Sequence, residues 1–336
     1  MHRVRTSADA AVTVVIPTFN SEQTVARALL SLEAQNYSIA LAVVVDDAST
    51  DSTVDAIRSL AVRFPLVVVQ LPTNGGSGAA RQAGLEQVAS EYVGFLDADD
   101  EWHPHHLSRA LKVLRMQPKV GATCAGAIVC TQVPDAWETL PPQQNRCLSL
   151  LDLVIGESVV QSSVVARTAV IRAAGGYRTE KRFAEDYDLW LRMGTLLDFY
   201  HIGERHIRRY AGETQVSRKV QQMVEGKWDA LAHFSVLRLA QCSPTEQVEL
   251  LSMVDRVLDA DMRHARASWS RSLHQIILRY AERINPDSAR LRFWSNWLRY
   301  GWPFLRTARF VVKDVPLLLQ AAVEPMSRNR QPSLIR

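Results

Sequence analysis

Three carboxylates stand within four residues at Asp97-Ala98-Asp99-Asp100. Held that close, they repel one another unless something neutralises them. A divalent cation does so: Mg²⁺ and Mn²⁺ take hard oxygen ligands, one or two protein carboxylates with substrate phosphates filling the rest of the shell. Taken alone, the four residues also fit a solvated turn with helix-capping aspartates. Three further clusters bear on the choice. Asp46-Asp47 precede Ala48-Ser49-Thr50; one carboxylate is free to cap a following helix, and the other is left to accept from a ribose hydroxyl or a base N–H. Asn74-Gly75-Gly76-Ser77-Gly78-Ala79-Ala80-Arg81 joins small residues, a helix start that favours an anion, and a cation one turn in. Glu185-Asp186 opens a helical pattern anchored by Leu189 and Trp190; in a first turn carboxylates are favoured by the helix dipole, so capping competes there with a chemical role.

The elements around these clusters decide between the readings. Residues 12–16, 41–45, 66–70 and 92–96 are short β-branched or aromatic runs that read as buried strands. Between them lie helical patterns: from Asn20 or Ser21 to about Gln35, from Ser49 or Thr50 to about Val62, and from Gly78 to about Ala89. His103-Pro104 opens another. Strands alternating with helices predict βαβ units and a parallel sheet with right-handed crossovers. Each strand ends in polar or glycine-rich sequence: Pro17-Thr18-Phe19-Asn20, Asp46-Asp47, Asn74-Gly75-Gly76 and the aspartate run. In an open α/β sheet those ends share one edge, where ligands bind, so clusters some 80 positions apart meet in one crevice. The solvated-turn reading of Asp97–Asp100 weakens accordingly. Beyond Gly121 the pattern is mixed. Residues 122–130, 159–166 and 199–210 read as strands, Thr168–Ala174 and Glu185–Leu197 as helices, and 217–283 as helical with a break near Ser243-Pro244.

Bulk properties exclude several classes. The 336 residues predict one large domain with an appendage. Cys124, Cys130, Cys147 and Cys242 have no metal-type spacing and read as reduced thiols. Residues 1–10 form an N-terminal tail with Arg3 and Arg5 and no apolar run, so no secretory signal is expected. No stretch reaches ~18 apolar residues, so no transmembrane helix is expected; the chain reads as cytoplasmic. The first strand is followed by no glycine, and no Gly-Lys-Ser/Thr follows Gly78, which disfavours dinucleotide and P-loop sites. The net charge of +4 conceals an asymmetry: Met262–Arg336 holds 14 Lys/Arg against 4 Asp/Glu.

In Val14–Asn20, Val45–Asp51, Asn74–Gly84, Phe95–Asp100 and Glu185–Arg192, the sequence resembles the family 2 glycosyltransferases. Order and spacing agree across roughly 200 residues; any one motif is weak, and the ordered set is specific. The resemblance implies a GT-A fold, a Rossmann-like mostly parallel sheet between helices, over residues 11–215. Residues 216–336 lie outside it and read as a helical, basic C-terminal extension. It further implies an inverting transfer from a nucleotide-diphosphate sugar, commonly a UDP-sugar, to an acceptor hydroxyl of a carbohydrate or lipid-linked acceptor, with Mn²⁺ or Mg²⁺ as cofactor. Pro17, Phe19, Asp46 and Arg81 would line the nucleoside pocket, with Thr18, Asn20, Asp47, Gly76 and Ala98 also donor-binding. Asp97 would touch the ribose, Asp99 the metal, with Asp100 as alternate ligand. Asp186 would be the catalytic base and Glu185 its neighbour. Family members often carry a histidine in an arginine-rich strand after the base helix; here Tyr210 stands near that place, with His206 close by, and either is a candidate for the diphosphate. No Gln-x-x-Arg-Trp signature of processive enzymes is present, which points to single-sugar transfer.

On this reading a metal and Arg81 compensate the leaving diphosphate while Asp186 takes the acceptor proton. The alternatives are a sugar-phosphate nucleotidyltransferase, which should carry a basic glycine-rich loop after the first strand, and a non-catalytic nucleotide-sugar-binding module. In the tail, residues 290–313 interleave Phe293, Trp294, Trp297, Tyr300, Trp302, Phe304 and Phe310 with six Lys/Arg. That mixture suits peripheral contact with the inner face of a membrane, or packing on the protein itself. Nucleic acid is not expected, because the acidic body would repel it.

Overall fold

In a computed structural model, residues 12–130, 137, 143–155, 159–180, 183–210, 216–267 and 271–297 are described. The first half alternates strand and helix: β1 (Val12–Thr18), α1 (Val25–Glu33), β2 (Leu41–Asp46), α2 (Thr53–Ser59), β3 (Leu66–Gln70), α3 (Ser77–Glu86) and β4 (Tyr92–Phe95). The valines and isoleucines of β1 and β2 are fully buried on both sides, which is why these strands read as unbroken apolar runs. β1 lies between β2 and β4, all parallel, and β3 flanks β2. Two helices begin later than the sequence predicts. Asn20 adopts φ 49° and its Oδ1 accepts from Thr50 N at 2.8 Å. The Glu22 carboxylate accepts from Ser52 N, and Asp51 accepts from Glu22 N. Residues read as helix caps thus tie the loops after β1 and β2 to each other.

The second half carries β5 (Glu101–Trp102), α4 (His106–Met116), β6 (Val120–Cys130), β7 (Arg146–Leu148), α5 (Leu150–Ile155), β8 (Val165–Arg167), α6 (Thr168–Ala173), α7 (Glu185–Met193) and β9 (Asp198–Tyr210). The sheet runs β3-β2-β1-β4-β8-β6-β9-β5, with β7 also on β9. It is less parallel than expected: β8 runs antiparallel to β4 and β6, and β5 and β7 antiparallel to β9. β5 and β7 are too short to show a period in sequence. Of the strand predicted at 159–166 only Val165 and Ala166 join the sheet; Gln161–Ser163 form a 3₁₀ turn whose serines bond outward, Ser162 Oγ accepting from Asp97 N and Ser163 Oγ from Ala125 N. The helix predicted to reach Leu197 stops at Met193, before Gly194.

The C-terminal region is helical: α8 (Val216–Leu239), α9 (Pro244–Ala267), α10 (Arg271–Ile284) and α11 (Ala289–Asn296). Trp228, Leu231, Val254 and Ile277 join Leu189, Trp190, Phe199 and Phe95 in one continuous apolar cluster. Among the described residues no helix is long and apolar enough to cross a membrane. Of the aromatic-basic stretch, residues 298–313 lie outside the described residues. In the described part, Trp294 is buried and donates to Asp259 Oδ1 at 2.8 Å, while Phe293 is exposed.

Candidate functional site

The carboxyl ends of β1 and β4 and the N-termini of α3 and α7 border a cleft of about 750 Å³. On its wall stand Pro17, Thr18, Phe19, Asn20, Asp47, Arg81, Asp97, Ala98, Asp99, Glu185 and Asp186, gathered from sequence positions up to 169 apart. Asp46, Gly76 and Asp100, also predicted for the site, lie outside this wall. Asp46 Oδ2 accepts from Ser49 N at 3.3 Å, and its Oδ1 is buried with no partner among the described residues. Neither Asp46 nor Asp47 caps α2, and neither does Ser49 or Thr50, the caps expected; α2 begins after Ser52, and Asp51 accepts from Thr53 N. Asp47 is spent on the glycine loop, its two oxygens accepting from Gly75 N at 2.8 Å and Gly76 N at 2.7 Å. Those amides are therefore turned toward a protein carboxylate.

Arg81 departs furthest from its expected part. It is buried, donating to Asp97 Oδ1 at 2.6 Å and to Glu185 Oε1 at 2.7 Å, so its charge is matched within the protein. Burial works against that charge, and Asp97, Tyr177 and Glu185 more than offset it, holding the guanidinium firmly protonated. Ser77 Oγ also donates to Glu185. Glu185 thus joins the first turns of α3 and α7 across 108 residues of sequence. Asp186 follows Ala184, which adopts φ 56°, an uncommon backbone for a residue with a Cβ. Burial and the adjacent Glu185 raise the Asp186 carboxyl above its ordinary value of 3.8.

The aspartate run divides by direction. Asp97 pairs with Arg81. Asp99 is exposed on the cleft, its carboxylate has no ion pair among the described residues, and desolvation together with Asp97 raises its pKa. Asp100 turns inward; burial, Asp97 and Asp99 push its carboxyl up to about 8. No three His, Cys, Asp or Glu side chains among the described residues form a set able to hold a metal alone. One free carboxylate in a cleft whose wall holds five carboxylates against two guanidiniums instead suits a cation that keeps waters and phosphate oxygens in its shell.

Strand alternation on β9 sorts its basic residues. Arg208 is buried against Glu101 at 3.4 Å, whereas the Arg209 side chain is 56% exposed and lines the cleft. Neither residue weighed for the diphosphate lines it. Tyr210 lies under Arg27, 3.6 Å from guanidinium carbon to ring centroid, its phenol pushed up to about 12 by burial and Glu101. His206 stacks on His103 and sits 2.9 Å from Glu204. Sequence reasoning also missed Ser77, Phe183 and Met223. The β9 alternation could have found Arg209; Met223, on a helix outside the motifs, gave no signal.

A nucleotide-type α/β sheet with an acidic cleft at its carboxyl edge defines the class. Residues 13–153 match the model of the glycosyl transferase family 2. Among curated relatives, the amylovoran biosynthesis glycosyltransferase AmsB of Erwinia amylovora is 33% identical over 111 residues, 32% of this chain and 36% of its own. The matches span only about a third to two fifths of the first curated relatives. Among solved structures, TarS 1-349 of S. aureus in complex with UDP-GlcNAc superposes with TM-score 0.66 at 19% identity, covering 89% of this chain and 87% of that one. The mannosyltransferase PcManGT of Pyrobaculum calidifontis, in complex with GDP-Man and Mn2+, gives 0.51 at 18% identity over 90% and 88%. These likenesses establish the shared fold, of GT-A type with a helical C-terminal region.

Proposed function

We propose that the chain transfers a single sugar, with inversion, from a nucleoside-diphosphate donor to an acceptor hydroxyl. One observation carries this reading: an unpaired carboxylate, Asp99, and a half-buried helix-start carboxylate, Asp186, share one cleft with an exposed ring, Phe19. Phe19 offers a face to the nucleobase. Asp99 is the ligand for a divalent cation, which when bound supplies charge compensation for the diphosphate. Arg209, exposed on the cleft and only loosely paired with Asp100 at 4.0 Å, is the cation that faces the leaving group. Asp186 accepts the acceptor proton as the new oxygen–carbon bond forms and the bond to the diphosphate breaks; its raised pKa makes it a stronger base than an ordinary aspartate. Glu185 and Arg81 hold this arrangement from beneath.

The ligands of the structural neighbours, UDP-GlcNAc in one and GDP-Man with Mn2+ in the other, support a nucleotide-sugar donor and a metal; a UDP-sugar is our reading here. The names of AmsB and of the succinoglycan biosynthesis protein ExoW support a place in polysaccharide biosynthesis; a cell-surface or glycolipid product made at the inner face of a membrane is our reading, motivated by the aromatic and basic residues of 290–313. The test is nucleoside diphosphate release from a panel of UDP- and GDP-sugars with Mn²⁺. We expect release with at least one donor and its loss in Asp186→Asn; no release with any donor overturns the reading.

A further inference from the structure

The glycosyl-transfer reading leaves unassigned the side of the cleft where the acceptor enters. That side must adjoin Asp186, since the base has to reach the acceptor hydroxyl at hydrogen-bond distance. Two apolar side chains border it. Phe183 precedes Asp186 by three residues. Met223 comes from α8 and is, among the described residues, the one cleft-lining residue beyond β9. It is 58% exposed on a wall that is otherwise largely polar and charged. Phe19, at the strand ends, is the apolar contact for a nucleobase, which leaves Phe183, just before the α7 start, and Met223 of α8, packed against Phe183 through Gly226, as a second apolar pair on the wall.

The seat of α8 is built in. A Cβ on Gly226 would stand 2.7 Å from Phe183 O and 2.9 Å from Phe183 Cβ. Only a residue without a side chain lets the helix approach that closely. One helical turn before Gly226, Met223 is thereby brought to the cleft. On the far side α8 is fixed to the core through Trp228, whose Nε1 donates to Asp261 Oδ2 at 2.9 Å. A flexible thioether beside a ring makes an adaptable apolar surface with no polar group to orient.

We infer that Met223 of α8, with Phe183, forms an acceptor subsite that takes the apolar aglycone of a glycoside, so that the C-terminal helices select the acceptor. This rests on the transfer reading, and the test separates the two. Donor turnover is measured with methyl, octyl and p-nitrophenyl glycosides of one sugar as acceptors, in wild type, Met223→Ser and the control Val236→Ser, an exposed position of α8 outside the cleft. Wild type and the control should favour the octyl and aryl glycosides over methyl by at least about fivefold in acceptor KM, a difference of about 1 kcal/mol. Met223→Ser should erase that preference with donor KM unchanged. A preference that survives in Met223→Ser overturns the inference, as does donor hydrolysis in water with no transfer to any glycoside. Absence of both hydrolysis and donor binding would instead strike the transfer reading itself.

Discussion

Asp186 and Glu185 are neighbours in the chain with opposite duties. Glu185 is consumed by Arg81 and Ser77, and Asp186 is left facing the cleft. Asp186→Asn should therefore lower kcat by ~10²-fold or more with donor affinity nearly unchanged, whereas a mere cap would show only as ~0.5–2 kcal/mol of stability. Steady-state kinetics alongside thermal melts tell these apart. The pH dependence follows from the sign of the shift. Burial and Glu185 raise the Asp186 pKa, so activity falls as pH drops through a value above 3.8. Glu185→Gln removes one of the raising charges and should move the acid limb of the kcat profile to lower pH; an unmoved limb would detach Glu185 from the base. At this scale the carboxylate clusters were legible because they stand at strand ends that share one sheet edge, and the cleft gathers Asp97, Asp99, Glu185 and Asp186; the base role of Asp186 came from the family resemblance. The ion pairs of Arg81, which lines the cleft, were not legible: nothing local reveals that a cation near a phosphate-type loop will be matched by carboxylates 16 and 104 residues away.

The loops and short helices show where composition misleads. The glycines after β3 read as room for a ligand, yet two of their amides serve Asp47, and a third glycine, Gly84, serves packing. A Cβ there would stand 2.4 Å from Val15 Cγ1 and 3.2 Å from Val45 Cγ2, so α3 lies directly on β1 and β2. Gly84→Ala should cost about 1–3 kcal/mol through overpacking, measured by denaturant melts, despite the better helix propensity of alanine. Asp47→Ala should cost at least about 1 kcal/mol by stranding the amides of Gly75 and Gly76. The four leading strands were visible in sequence as short runs rich in β-branched or aromatic residues; β1, β2 and β4 are largely buried, whereas β3 at the sheet edge leaves Val67 exposed. β5 and β7 were invisible because two or three residues paired to a long neighbour carry no period of their own.

At the scale of the molecule, the C-terminal helices belong to the same core as the sheet. Trp228, Leu231 and Phe234 pack in one cluster with Leu189 and Trp190 of α7, the helix whose first turn carries Asp186. Ending the chain at residue 215 should expose that face and abolish a cooperative melt, although the family motifs all lie before it. The sequence showed the helices by their period but not their partner, since an apolar stripe does not say what covers it. The central claim is that this cleft binds a nucleoside-diphosphate sugar through a cation held at Asp99. Its most direct test is the thermal shift of the full chain with UDP-sugars and GDP-sugars, with Mn²⁺ and with EDTA, in wild type and Asp99→Ala. A donor at ~100 Kd adds about 2.7 kcal/mol of stability. We predict a shift with at least one donor that requires Mn²⁺ and disappears in Asp99→Ala; a shift unchanged in EDTA and in the variant, or none with any donor, would contradict it.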